Sequence, residues 1–204
     1  MHPNPVFHTS TDDKNLAFAR DRGFGVLTVN GPDRPMLAHI PFLLRDEGQV
    51  IDLHLVRSNP IARALGAPLQ AVLAVSGPDS YVSPDWYGID DQVPTWNYVA
   101  VHLSGVIEKR PADELRDVLD RESELFERRL LPKLPWAAAK MDGAALDKMM
   151  RMIVPCRMQI TSIDGTWKLN QNKADDVRLR AADHVESDGV GTGLARLAAM
   201  MRDP

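Results

Sequence analysis

The chain has 204 residues, 44% of them hydrophobic and 25% charged, with 24 Lys and Arg against 28 Asp and Glu and a formal net charge of −4. This is the balance of an ordinary globular chain with room for a sizeable core, and it argues against broad nonspecific binding to nucleic acid, which needs many cations on phosphates. No apolar run approaches the ~20 residues of a membrane span, MHPNPVFHTSTDDKN lacks the order of a signal peptide, and the lone Cys156 permits no intrachain disulfide, so a cytoplasmic location is expected.

Residues 10–22, STDDKNLAFARDR, predict a helix. Ser10 caps it, Asp12 and Asp13 lie near its positive end, and Gly23 stops it. Strands are expected at 24–30, 36–44, 49–56, 69–76 and 98–109, with NGPDRP and RDEGQ as hairpin turns between the first three. In RSNPIARALGAP, Asn59 is a good N-cap and Pro60 suits the first helical position, giving one or two turns before Gly66 and Pro68. Residues 77–97 read as a long loop, of the kind that is functional or tightly plugged. PADELRDVLDRESELFERRL predicts an amphipathic helix, LPKLPW breaks it, and DGAALDKMMRMI predicts a shorter one. CRMQITSIDG reads as a strand, WKLNQN follows it, and helices are expected at 174–186 and 192–202 around a flexible SDGVG. Strands gathered early and helices late indicate an α+β or mainly β barrel, not a doubly wound parallel sheet.

Four constellations carry chemistry. In LHLVRSNPIAR a capped helix start flanked by Arg57 and Arg63, with Ser58 between, suits an anion; solvated arginines on a surface helix are the plainer alternative. The loop 77–97 and the residue after it hold Tyr81, Trp86, Tyr87, Trp96 and Tyr98, whose rings either stack on a planar ligand or keep the loop ordered, while Asn97 offers an amide to a ring edge. His39, His54 and His102 fall on separate strands with no metal-ligand spacing, so sheet histidines are favoured over a metal site and no metal is expected. WKLNQNK, read as a strand, sets Lys168, Asn170 and Asn172 on one face, as ligand donors or as an aggregation-blocking edge. No dinucleotide fingerprint, Walker loop or nucleophile elbow is present, and Cys156 reads as an inert core thiol.

Taken in order, HIPFLL (39–44), VRSNP (56–60), GPDSYVSPDWY (77–87), VPTWNYVAVHLSG (93–105) and GTWKLNQNK (165–173) resemble the FMN-binding negative transcriptional regulators of the PaiB type, within the pyridoxamine-phosphate-oxidase-like FMN-binding split barrels. The resemblance covers roughly residues 1–175. It implies a split β-barrel of about six antiparallel strands with peripheral helices, a helical insertion near 111–152, and 176–204 as a helical C-terminal extension. It further implies a homodimer with FMN sites at the interface. The phosphate is then expected on Arg57, Ser58, Asn59 and Arg63, and the ring along His39, Ile40, Pro41 and Phe42. His54 is expected among the cofactor-binding residues, with Trp96, Asn97, Lys168, Gln171 and Asn172 as candidates contributed by the partner subunit.

Two functions follow. The first is an FMN-binding regulator with a DNA or other regulatory partner. Direct DNA contact has little support, because the best basic stretch, ERRLLPK plus Lys140, is short and no basic recognition helix is visible. The second is a flavin-dependent oxidoreductase acting on a small substrate with NAD(P)H or oxygen, His102 or Tyr98 supplying a proton.

Overall fold

The structure, a computed structural model, describes residues 2–45 and 48–204. The expected RDEGQ turn includes Asp46 and Glu47 and so lies partly outside the described residues. The chain divides into two compact units. Unit 1 comprises Met1–Asn15, Val75–His102 and Asp164–Pro204; unit 2 comprises Leu16–Ala74 and Leu103–Ile163.

The first helix, α1 (Asp12–Arg22), carries its acids in the first turn and Arg20 and Arg22 in the last, both favourable to the helix dipole. Its start is fixed by Thr11, whose Oγ1 accepts from the Lys14 N–H at 3.2 Å, rather than by Ser10. Gly23 ends it at φ +59°, a conformation glycine reaches without strain, and a Cβ there would meet the Phe126 ring at 2.9 Å.

In unit 2, strand β1 (Phe24–Val29) pairs antiparallel with β2 (Met36–Pro41), Val26 opposite His39. Phe42 interrupts the expected single strand: its N–H turns to the Gly23 carbonyl at 3.0 Å, and the two-residue β3 (Leu43–Leu44) pairs instead with β4 (Val50–Val56). The short helix α2 (Pro60–Ala64) follows. Strand β5 (Leu69–Val82) pairs with β1, β6 (Thr95–Lys109) lies between β5 and β7 (Ile153–Lys168), and β7 pairs antiparallel with β4, Leu53 opposite Cys156. Alternate residues of these strands point inward. Leu27, Ile51, Leu53, Leu73, Leu103, Ile107 and Met158 are all fully buried and form the core of this unit. Helices α3 (Leu115–Glu127) and α4 (Gly143–Met150) occupy the predicted insertion, α3 burying Leu115 and Val118.

In unit 1, helix α5 (Asp175–Asp188) and helix α6 (Leu194–Arg202) pack on each other through Ala181, Val185, Leu197, Ala198 and Met201. The connection between them is not a loose linker. Val190–Thr192 forms β8, which pairs with β5 (Asp79 opposite Thr192), and the Asp79 carboxylate accepts from the Thr192 N–H at 3.1 Å.

Among the described residues the antiparallel sheet has eight strands, against about six expected, in the order β2-β1-β5-β6-β7-β4-β3 with β8 on β5. Much of the expected 77–97 loop is strand. Gly77-Pro78 reads as a breaker because proline brings no ladder donor, yet β5 runs through it and gains β8 as a neighbour.

Candidate functional site

At the β4–α2 junction, chain geometry and side-chain chemistry meet. The Arg57 N–H donates to the Met152 carbonyl at 2.8 Å, and the guanidinium folds back: Nε donates to the Arg151 carbonyl at 3.0 Å and Nη2 to the Ile153 carbonyl at 3.2 Å. Asn59 is the expected N-cap, its Oδ1 accepting from the Ile61 N–H at 2.9 Å. Five residues are too few for a strong dipole, so the anion-binding capacity here rests on side chains. Ser58 and Arg63 are exposed, and among the described residues neither has a side-chain hydrogen bond or ion pair; the Nη1 group of Arg57 is likewise uncommitted.

The β2 residues divide by strand alternation. His39 is exposed and lies against Phe24, ring centroids 6.5 Å apart and planes 24° from parallel. Ile40 and Phe42 are core residues, and Pro41 is half-buried. Of these four candidates, His39 and Pro41 are the ones placed to present a side chain on the outer face. His54, on β4, faces α3: its Nδ1 is 3.1 Å from Glu122 Oε2. The directions are poor, and His54 Nδ1 and Glu122 Oε1 remain buried without a hydrogen bond. The distance records a close approach rather than a formed bond.

The opening of β6 corrects the expectation that Trp96 and Asn97 act together. Successive strand residues point to opposite faces. Trp96 is 47% exposed, whereas Asn97 is fully buried, with Nδ2 3.5 Å from the Met201 sulfur of α6 and Oδ1 unpartnered. Trp96 heads a run of rings. It meets Tyr81 edge-on at 6.4 Å, Tyr81 meets Trp86 edge-on at 6.4 Å, and Trp86 stacks on His184 at 5.6 Å and 12°. Tyr87 instead turns inward and is 2% exposed. The aromatic segment is therefore part surface run and part plug.

WKLNQNK is not a continuing strand. β7 ends at Lys168, and Asn170 adopts φ +63° in a turn closed by the Lys173 N–H on the Asn170 carbonyl at 2.9 Å. Period-two spacing therefore stops at Lys168. Gln171 is structural: its Oε1 accepts from the Leu169 N–H at 2.8 Å and its Nε2 donates to the Trp167 and Val6 carbonyls. Lys168, Asn170 and Asn172 line a cavity of about 370 Å³ within unit 1.

Sequence reasoning overlooked one charged cluster. Asp52, fully buried on β4, accepts from Arg157 Nε at 2.7 Å and Arg121 Nη2 at 3.1 Å, with Arg45 at 3.7 Å. Burial pushes its carboxyl up, but the hydrogen bonds from Arg157 and Arg121 and the nearby guanidinium charges outweigh it and hold it below the usual range. The sequence signal was an acid in an apolar strand, VIDLHLV. A cavity of about 850 Å³ lies beside this cluster, but its Arg121 and Arg128 are paired with Asp117 and Glu124. Of the possible proton donors, Tyr98 is pushed up by burial and His102 down by burial against the opposing charge of Asp164. Burial pushes Cys156 up to about 12, so this thiol is inert at neutral pH.

Comparison with known proteins agrees with this architecture. The solved FAD- and heme-binding protein of Mycobacterium smegmatis superposes with a TM-score of 0.59 at 16% identity, covering 84% of this chain and 78% of that one. A putative 5-nitroimidazole antibiotic resistance protein of Bacteroides thetaiotaomicron gives 0.55 at 11%, covering 78% and 84%. These likenesses establish the split-barrel fold. In sequence, the chain is 26% identical over 205 residues to the Bacillus subtilis protease synthase and sporulation protein PAI 2, covering all of this chain and 97% of the relative. An uncharacterized Aspergillus fumigatus protein is 25% identical over 232 residues, covering 88% and 89%. The model of the putative FMN-binding domain matches residues 1–162, and with that match the chain belongs to this family, whose named cofactor is FMN.

Proposed function

We propose that the protein binds FMN through its β4–α2 junction and acts in regulation, as a PaiB-like protein. The observation that carries this reading is the set of uncommitted donors on Arg57, Ser58 and Arg63, within one seven-residue stretch, exposed and without a carboxylate partner among the described residues. The donor set fits a phosphate dianion: a guanidinium fixed by two backbone carbonyls, a hydroxyl, and a second guanidinium free to close over the anion. When bound, FMN would supply one- or two-electron redox chemistry or a redox-dependent signal. Arg57 would orient the phosphate, Arg63 would add charge, and His39 offers an exposed imidazole on β2. Asn59 keeps the turn in place through its cap. Trp96, nearly half exposed, is proposed as a stacking surface for the ring of a flavin held by a second copy, which makes a homodimer part of the reading. Asn97 and Gln171 are left out, since burial or internal bonds occupy them.

The regulatory half of the reading is supported by the whole-length similarity to PAI 2. The net charge of −4 favours action through a partner over broad contact with DNA phosphates.

Titration with FMN, followed by quenching of flavin fluorescence, tests the cofactor. Uptake is expected. Arg63→Ala should weaken it by about tenfold or more, the loss of one charge-assisted contact of ~1.5–3 kcal/mol, with unchanged thermal stability. No uptake by the natural chain, or equal uptake by a Ser58→Ala/Arg63→Ala double variant, would overturn the assignment. Light scattering at micromolar concentration checks the dimer, and a monomer would remove Trp96 from the site.

A further inference from the structure

Unit 1 contains a cavity whose charges are unbalanced. Two ammonium groups line it. Lys168 Nζ donates to Thr95 Oγ1 and lies 5.9 Å from the Phe7 ring centroid; Lys173 Nζ donates to Gln92 Oε1 and lies 4.8 Å over the Tyr87 ring. Neither lysine has an ion-pair partner among the described residues. The acid among the cavity's residues is Asp91, which is exposed to water. An ammonium taken from water without a counter-charge is unfavourable, and burial accordingly lowers the pKa of Lys168. His2, also on the wall, is lowered by burial and then by the charge of Lys168.

An orphaned donor belongs to a residue that lines the same cavity. Asn170 is 2% exposed, and its Oδ1 accepts from the Tyr87 hydroxyl at 3.4 Å, leaving Nδ2 buried with no partner. Buried amide N–H groups are rarely left unpaired in folded proteins. Its backbone, at φ +63°, lies in a region asparagine tolerates better than most side chains.

We propose that this cavity binds a small organic carboxylate, with the two anionic oxygens taken by Lys168 Nζ and Asn170 Nδ2 and the body of the ligand held against Phe7 and Tyr87. A carboxylate supplies what the cavity lacks: a negative charge for the lysines and an acceptor for the amide. The volume, about 370 Å³, is that of a compact molecule. No residue of the Arg57–Arg63 segment takes part, so this site stands independently of the flavin reading.

Calorimetric titration of the full chain with benzoate, benzamide and inorganic phosphate tests it. Benzoate should bind at least about tenfold more tightly than its neutral isostere benzamide. Lys168→Met should weaken benzoate about tenfold or more. Asn170→Asp, which keeps the turn but replaces the donor with a second anion, should abolish binding. FMN added in excess should leave the benzoate isotherm unchanged. Equal binding of benzamide, preference for phosphate, unaltered affinity in Lys168→Met, or displacement of benzoate by FMN would each overturn the proposal. Should Asn170→Asp fail to fold, the benzoate–benzamide ratio and Lys168→Met decide it.

Discussion

Two charged clusters, one in each unit, are built on opposite principles. In unit 2 three carboxylates, Asp52, Glu114 and Asp117, face three guanidiniums, Arg45, Arg121 and Arg157, and the deepest acid is bonded from two sides. In unit 1 two ammoniums share a cavity with an orphaned amide and, among the described residues, bond to neutral oxygens and lie over rings without an ion-pair partner. A buried charge that the fold itself neutralises belongs to the structure. One that the fold leaves open asks for something from solution. The first kind should therefore be costly to remove and the second should not.

The largest effect is expected at Asp52. Asp52→Asn keeps the shape but leaves Arg157 and Arg121, each less than a third exposed, facing a neutral amide. Breaking one side of a buried pair costs about 3 kcal/mol, which urea unfolding at neutral pH should show as a lowered midpoint with unchanged slope. The same carboxyl sets an acid limit. Its folded pKa lies below its unfolded value, so its contribution is fully present above the unfolded pKa and is lost as pH falls through the folded one. The natural chain should lose stability below about pH 4, and Asp52→Asn should flatten that fall. An equal acid slope in both would break the comparison on the unit 2 side.

Lys168→Met should behave in the opposite way. The ammonium is lowered by burial alone, so at neutral pH its charged form disfavours folding. Between the lowered folded pKa and the unfolded one, the unfolded chain holds more protons, and stability from this group rises with pH. Removing the charge should leave stability unchanged or raise it by up to ~1 kcal/mol. A loss of ~2 kcal/mol or more would mean that Lys168 is already neutralised within the fold, and the contrast between the clusters would fail.

These clusters also show where the sequence could be read. Signals local in sequence held: the Asn59 cap, the Gly23 stop, the amphipathic insertion helix and the positions of most strands. What escaped depends on partners far along the chain. Asp52 meets Arg121 and Arg157 across 69 and 105 positions, and no spacing rule reports that. Asn97 was placed beside Trp96 as a ligand group because they adjoin in sequence, although alternation alone separates their faces. The turn at Asn170 was hidden in an alternating polar pattern that imitates a strand. Likewise Pro78 looked like a strand end, since nothing nearby announced that Val190–Thr192 would extend the sheet beside it.

Asn97 offers the smallest effect and the finest test of the same rule. It is fully buried beneath α6, its Nδ2 touches only the weakly accepting Met201 sulfur, and its Oδ1 has no partner. A buried amide in this state gains little from its environment, and replacing it with an apolar side chain of similar volume removes the unmet acceptor. Asn97→Leu should therefore change stability by no more than ~1 kcal/mol, in contrast to the ~3 kcal/mol expected for a bonded charge such as Asp52. Thermal unfolding resolves the difference, since ~1 kcal/mol moves the midpoint by about 2–4 °C in a chain of this size. A drop of 6 °C or more would show that the carbonyl is satisfied in solution, for which a water held between β6 and α6 is the available group, and unmet bonding in unit 1 would then have to be sought at Asn170, Thr166 and Arg178 instead.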